Sequence, residues 1–252
     1  MNSLVSHAGS LALGVALCAF STILGAAEVE PGFQSLFNGK DLTGWAGRPE
    51  HWSVEDGAIT GRTTGEHPAK GNNFLIARSG GTNLVLENFE LRLSYRIVPN
   101  GDKGFGNSGI QYRSKDRGNF VVHGYQADFE CGTTYSGILY EEGGRGILAQ
   151  RGQKVVVRDD SANPGKPRIE VTGSLGNSRD LQVAIKKEDW NDYVVVATGN
   201  HLQHFINGHQ TVDVIDEQES KAARSGILAL QLHAGDPMTV QFKNIRIKVL
   251  NE

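Results

Sequence analysis

The chain has 2 cysteines and 7 prolines in 252 residues. Cys18 falls in an apolar leader, which leaves Cys131 as the lone thiol of the remainder. No internal disulfide can brace that remainder, so it must be held by core burial. Four or more Lys/Arg never occur in a row, and 25 Lys+Arg against 28 Asp+Glu give a net charge of -3. Neutralising phosphates takes a basic stripe, so nucleic acid is excluded as the main partner. There is no HExxH, paired CxxC, P-loop or G-x-S-x-G. GFGNSG (104–109) has the letters of a dinucleotide fingerprint, but a strand pattern, IQYRS, follows where that site needs a helix N-terminus. It reads as a flexible turn. His201 and His204, three apart in a strand pattern, fall on opposite faces and share no metal. The 32 glycines have no three-residue period, which excludes collagen, and the low proline count argues against a disordered chain.

Residues 1–27 contain no Asp, Glu, Lys or Arg. Leu11 to Leu24 is apolar but short of the ~20 residues of a membrane span. Small residues Gly25-Ala26-Ala27 follow. The pattern predicts a secretory signal cleaved after Ala27, an exported protein (periplasmic or extracellular) with no membrane attachment after cleavage, and one domain over 28–252.

What the chain has in quantity is two-residue alternation. In LVLENFELRLSYRIV (84–98), Phe89, Leu91, Leu93 and Tyr95 share a face opposite Glu90, Arg92, Ser94 and Arg96. Similar runs lie at 51–61, 108–114, 123–130, 192–199, 202–208, 226–234 and 238–250. Asp56-Gly57 and Asn207-Gly208 are two-residue hairpin signals. The polar segment 163–180 reads as a long surface loop with at most one short strand. Helical periodicity is missing beyond short turns. Short strands with regular turn signals predict an all-β sandwich or barrel.

Three of these strands set an apolar face against an amide-rich one. Ile110 and Tyr112 oppose Asn107, Gln111 and Arg113. Tyr125, Ala127 and Phe129 oppose Gln126 and Asp128. Leu228, Leu230 and Leu232 oppose Ala229, Gln231 and His233. Ordinary solvated faces lean on Lys, Glu and Thr, whereas Asn, Gln, Arg, Asp and His pair with hydroxyls at fixed angles. The inventory predicts a polyol-binding cleft. In YSGILYEEGGRGIL (135–148), only one of the adjacent acids Glu141 and Glu142 can face such a cleft. Cys131 and the three tryptophans, Trp45, Trp52 and Trp190, read first as packing residues.

SLFNGKDLTGW (35–45), NSGIQYRS (107–114), GYQADF (124–129), SGILYEE…R (136–145), EDWNDYVVVATGNHLQHFINGH (188–209) and SGILALQLHAGDPMTVQFKNIRIK (225–248) together resemble the 3-keto-disaccharide hydrolase domain family. The chain looks like a planctomycete-type secreted member. The resemblance runs from about Phe33 to Leu250. It implies a concanavalin A-like jelly-roll β-sandwich of two antiparallel sheets with a concave ligand-facing sheet. Where many members have Glu and Gln in GYE-x-Q, this chain has Gln126 and Asp128, with acid and amide exchanged.

The resemblance also implies a chemistry. A ketone at carbon 3 of a glycoside acidifies the proton on carbon 2. A base removes it, the enolate expels the aglycone from carbon 1, and water adds back. This needs one base, one electrophile for the enolate oxygen and one acid for the leaving oxygen. It does not need the two flanking carboxylates of an ordinary glycosidase. The matching positions suggest His233 as base, with Asp128 as alternative base or orienting group. They suggest Arg113 for the enolate oxygen and Glu142 or Glu141 as acid. Asn107, Gln111, Gln126, Tyr140, Arg145 and Gln231 would position an oligosaccharide or glycoside. No cofactor is assigned, and a divalent metal on Asp128 and His233 is conceivable. The alternatives are a non-catalytic carbohydrate-binding module of the same fold and a structural or adhesion domain.

Overall fold

The computed structural model describes Met1 and residues 30–251. The expected signal segment lies outside the described residues.

The chain begins with β1 (Gln34–Ser35), β2 (Trp45–Ala46), β3 (Trp52–Glu55), β4 (Ala58–Thr63) and β5 (Asn73–Ser79). Next come β6 (Thr82–Asn83), β7 (Val85–Leu86), β8 (Phe89–Pro99), β9 (Asn107–Asp116) and β10 (Val122–Glu130). β11 (Leu139–Glu142), β12 (Gly146–Ala149), β13 (Gln153–Asp159) and β14 (Pro167–Ser174) lead to a short helix α1 (Ser178–Val183). β15 (Asn191–Thr198), β16 (His201–Ile206), β17 (His209–Asp216), β18 (Gly226–Leu232) and β19 (Met238–Val249) complete the fold.

These strands form two layers. The back sheet has the order β14-β13-β17-β16-β15-β8-β19-β4-β3, with β1 also on β19. The front sheet runs β12-β11-β10-β9-β18-β5-β2, with β6 on β5 and β7 on β18. All pairings are antiparallel except β13 with β17. This is the all-β jelly-roll sandwich expected, open at its edges and not a closed barrel.

Alternation places the core. Phe89, Leu91, Leu93, Tyr95 and Ile97 of β8 point into the sandwich, as do Val240, Phe242 and Ile247 of β19. From the front sheet come Ile110, Tyr112, Tyr125, Ala127, Phe129, Leu228, Leu230 and Leu232. Phe129 stacks on Tyr95 at 4.0 Å between ring centroids and meets Phe242 edge-on at 6.0 Å, which joins the layers. Each such buried side chain contributes about 1.5–3 kcal/mol, enough in sum to hold a sandwich without disulfides.

Both hairpin signals are turns with left-handed backbone, Asp56 and Gly57 at φ 50° and 72°, Asn207 and Gly208 at φ 49° and 81°. The segment 163–180 departs from expectation. It holds the eight-residue strand β14 and the start of α1, capped by Asn177 accepting from the Arg179 amide. β14 is an edge strand exposed over most of its length, with only Ile169 and Val171 as a short apolar alternation in a polar, turn-rich segment. β5 and β13 were also not expected. β5 carries Phe74 and Ile76 outward and Leu75 and Ala77 inward, so it lacks the polar alternation of a half-solvated strand.

That outward apolar patch shapes the site. Phe74, Ile76, Val122, Ile227 and Ala229, with Phe120 packed on them, form a small second core on the outer side of the front sheet. The β9–β10 turn folds over this end, where the Phe74 amide donates to the Phe120 carbonyl. The other end of the same face is polar.

Candidate active site

The polar end of the front sheet forms a cleft of about 410 Å³ lined by Asn107, Gln126, Asp128, Tyr140, Glu142 and His233, with Asn72, Phe105, Tyr135, Ile138 and Ile147. β9, β10 and β11 supply the first five polar groups. Their register sets Gln126 beside Gln111 on one side and Tyr140 on the other, and Asp128 beside Gly109. His233 stands just past the end of β18.

An amide network forms the floor. Gln126 Oε1 accepts from Gln111 Nε2 at 2.5 Å and from Gln231 Nε2 at 3.0 Å. Gln231 Nε2 also donates to Glu142 Oε2 at 3.1 Å, and Asn72 Nδ2 donates to the same oxygen at 3.3 Å. Gly109 makes room for this arrangement. A Cβ there would stand 2.4 Å from Gln126 Cγ, so the amide can cross β9 only over a glycine.

Asp128 is buried. Desolvation pushes its carboxyl well above the ordinary range, against the Asn107 Nδ2 donor at 2.9 Å, which favours the charged form. Nearby Glu130 and Glu142 push in the same direction as burial. Burial thus makes the Asp128 carboxyl a weaker acid than an exposed aspartate.

His233 Nδ1 lies 2.5 Å from the Ala234 carbonyl, which can only accept, so Nδ1 carries the hydrogen of the neutral ring. Nε2 then has the lone pair. Phe105 packs edge-on against the ring at 5.4 Å and limits its rotation. The pair can therefore offer one proton and one base.

Several expected residues stand elsewhere. Arg113 does not reach the cleft. β9 has a bulge opposite β18, where the register passes from Ile227↔Ser114 to Ala229↔Gln111, and Arg113 takes φ 45°. The extra residue breaks the alternation and turns the side chain inward. Its guanidinium donates to the carbonyls of Glu87, Gly199 and Ala223 and to Asn88 Oδ1. Glu141 and Arg145 also face inward. Arg145 bonds both Glu141 oxygens and both Asp216 oxygens, and Tyr125 Oη donates to Asp216 as well. Burial opposes the Arg145 charge, but Asp216 and Glu141 outweigh it and raise its pKa. Of the two adjacent acids, Glu142 is thus the one in the cleft. Gln111 and Gln231 belong to the right face but are wholly covered, so they hold Gln126 and Glu142 and do not touch a ligand. Asp128 and His233 share no hydrogen bond; each has a different partner.

Asn72, Phe105, Tyr135, Ile138 and Ile147 were not expected. Asn72 and Phe105 come from loops, where alternation gives no orientation. Trp45 and Trp52 are core residues, and Trp190 lies on the back sheet under Lys243 at 3.9 Å, so none lines the cleft. Cys131 is partly buried, and desolvation pushes its thiol up to about 12, which makes it unreactive.

Among the described residues, no group of three or more His, Cys, Asp or Glu side chains is arranged to hold a metal ion. Asp128 and His233 line one cleft, but Asn107 occupies one Asp128 oxygen and no third ligand joins them in such a group. This donor set does not fit a resident divalent ion.

The profile of the 3-keto-alpha-glucoside-1,2-lyase-like domain matches residues 32–248, nearly the whole described chain. The chain belongs to this family. Its function is therefore carbohydrate-related, in a glycosyl-hydrolase-like family. No protein of curated function matches the chain. A candidate glycosyl hydrolase from Parabacteroides distasonis is similar in structure, with TM-score 0.53 at 20% identity over 87% of this chain and 94% of that one. Carbohydrate-binding module CBM66 of Bacillus subtilis has TM-score 0.51 at 15% identity, over 82% and 97%. A Bacillus subtilis protein with a galectin-like fold has TM-score 0.51 at 8% identity, over 82% and 90%. At these identities the likeness is one of fold, and it agrees with the jelly-roll reading of this lyase-like domain.

Proposed function

We propose that this protein is an exported enzyme that cleaves 3-keto-glycosides by elimination. The observation that carries the reading is a buried acid, Asp128, whose pKa desolvation raises, and a histidine with a free Nε2, His233, in one amide-floored cleft of a lyase-like domain. His233 Nε2 removes the proton from carbon 2. The Asp128 carboxyl donates its hydrogen bond to the carbonyl oxygen at carbon 3, where negative charge develops. A buried neutral acid suits that task because no counter-charge has to reorganise as the enolate forms. It takes the role expected of Arg113.

The enolate electrons then form the carbon 1–carbon 2 double bond as the carbon 1–oxygen bond breaks. The imidazolium of His233 returns its proton to the departing oxygen. Water addition across the double bond completes net hydrolysis. Glu142 Oε2 accepts from two amide donors, and the carboxyl serves as an acceptor for sugar hydroxyls. Gln126, Asn107 and Tyr140 position the ring. The export expected from residues 1–27 belongs to this reading.

The test is incubation of the purified protein with a 3-keto-disaccharide and its unoxidised twin. Release of sugar from the oxidised compound alone is expected. Binding of either without turnover would replace the proposal with a carbohydrate-binding module.

A further inference from the structure

A second groove, of about 380 Å³, opens beside the cleft, and Glu142 lines both. Its walls carry Lys115, His123, Lys221 and Arg224. Of its two acids, Glu141 is closed into the Arg145 network, and only Glu142 remains open to it. Among the described residues, Lys115, Lys221 and Arg224 make no ion pair with a carboxylate. The chain as a whole is net negative, so this cationic groove runs against its charge balance.

The groove is also built. The loop that carries Lys221 and Arg224 is pinned at Ala223. The Ala223 amide donates to Tyr125 Oη at 3.2 Å, and its carbonyl accepts from Arg113 Nη1 at 3.4 Å. Arg224 lies close enough to Arg113 for their charges to oppose each other. On the far wall, the His123 ring occupies the space a Cβ on Gly143 would need, at 2.5 Å. Like charges gathered along one groove repel, and an anion between them reduces that cost.

We infer that this groove is a subsite for an anionic substituent, a carboxylate or sulfate, on the part of the glycoside that extends past Glu142. The inference rests on the cleft as the sugar site and adds that preferred substrates carry a negative charge there.

The test is calorimetric titration of the intact protein with phenyl glucoside, 4-carboxyphenyl glucoside and 4-sulfatophenyl glucoside. Exposed ion pairs are weak singly, so three cations together predict about tenfold tighter binding of an anionic twin than of the neutral one. The preference should shrink at high salt. It should vanish in the Lys115→Gln/Arg224→Gln double variant, whose affinity for the neutral glycoside stays unchanged. The tighter of the two anionic arms identifies the anion. Equal binding of neutral and anionic glycosides, no binding, or a preference that survives in the double variant would overturn the inference. Turnover of the neutral 3-keto glucoside, measured separately, reports on the elimination chemistry alone.

Discussion

The two sides of the front sheet hold similar residue types in opposite conditions. On the inner side, Arg113, Arg145, Glu141 and Asp216 have their hydrogen-bonding capacity used by fixed partners. On the outer side, Asp128 is buried with one amide donor, and His233 keeps one ring nitrogen free. Saturated charges tie the layers together. Unsaturated ones are available for chemistry, at a cost in stability. Charge type alone therefore does not separate function from scaffold; the partner count does.

The largest contrast is expected in turnover. His233→Ala or Asp128→Asn should lower kcat/KM for a 3-keto-disaccharide by about 10²–10⁴-fold, the usual range for a proton-transfer group. Urea unfolding of Asp128→Asn at neutral pH should show equal or higher stability, because the variant no longer buries an ionisable group. On the inner side the expectation is reversed. Arg145→Met leaves Asp216 and Glu141 buried without their cation. It should cost about 3–5 kcal/mol in urea unfolding. If Arg145→Met were stable yet inactive, the comparison would fail.

A smaller effect lies in pH dependence. His204 is buried among Tyr112 and Tyr193, and desolvation pulls its pKa down to about 3. The unfolded chain takes up that proton below about pH 6.5, and the folded one does not. Stability from this group is therefore present above about 6.5 and lost as pH falls, by about 1.4 kcal/mol per unit. Asp128 has the opposite sign. Its folded pKa is raised, so its contribution is full below the ordinary aspartate value and lost as pH rises from there. The two slopes cancel wherever Asp128 stays protonated between about pH 4 and 6.5. Asp128→Asn should expose the His204 slope in urea unfolding across that window, and His204→Gln should remove it. The smallest expected effect is Gly109→Ala, where the Cβ displaces Gln126. It should raise KM more than it lowers kcat, with a loss of about 1–3 kcal/mol in stability.

Much of this division was legible in the residues. Strict alternation gave the right face to Gln126 and Asp128, because β10 is regular over 125–130, past the irregularity between His123 and Tyr125. The same rule failed at Arg113, since a bulge inserts a residue that no local signal marks. Arg145, expected in the cleft from the family resemblance, stands at a hairpin end at the sheet margin and reaches between the layers instead. Glu142 was separated from Glu141 by the pleat alone, once the register of β11 was known. Asn72 and Phe105 stand on loops whose positions depend on packing far along the chain. The family segments carried the fold, but the exchange of acid and amide at Gln126 and Asp128 could be interpreted only with the burial of Asp128 in view.

The central claim is that the unsaturated outer pair performs proton abstraction at carbon 2. It is tested most directly by turnover in ordinary water of a 3-keto-disaccharide that carries deuterium at carbon 2. The account predicts slowed release of sugar relative to the protiated substrate, loss of the carbon 2 deuterium from the product, and neither event with His233→Ala. Cleavage at the same rate with the carbon 2 deuterium retained would contradict it.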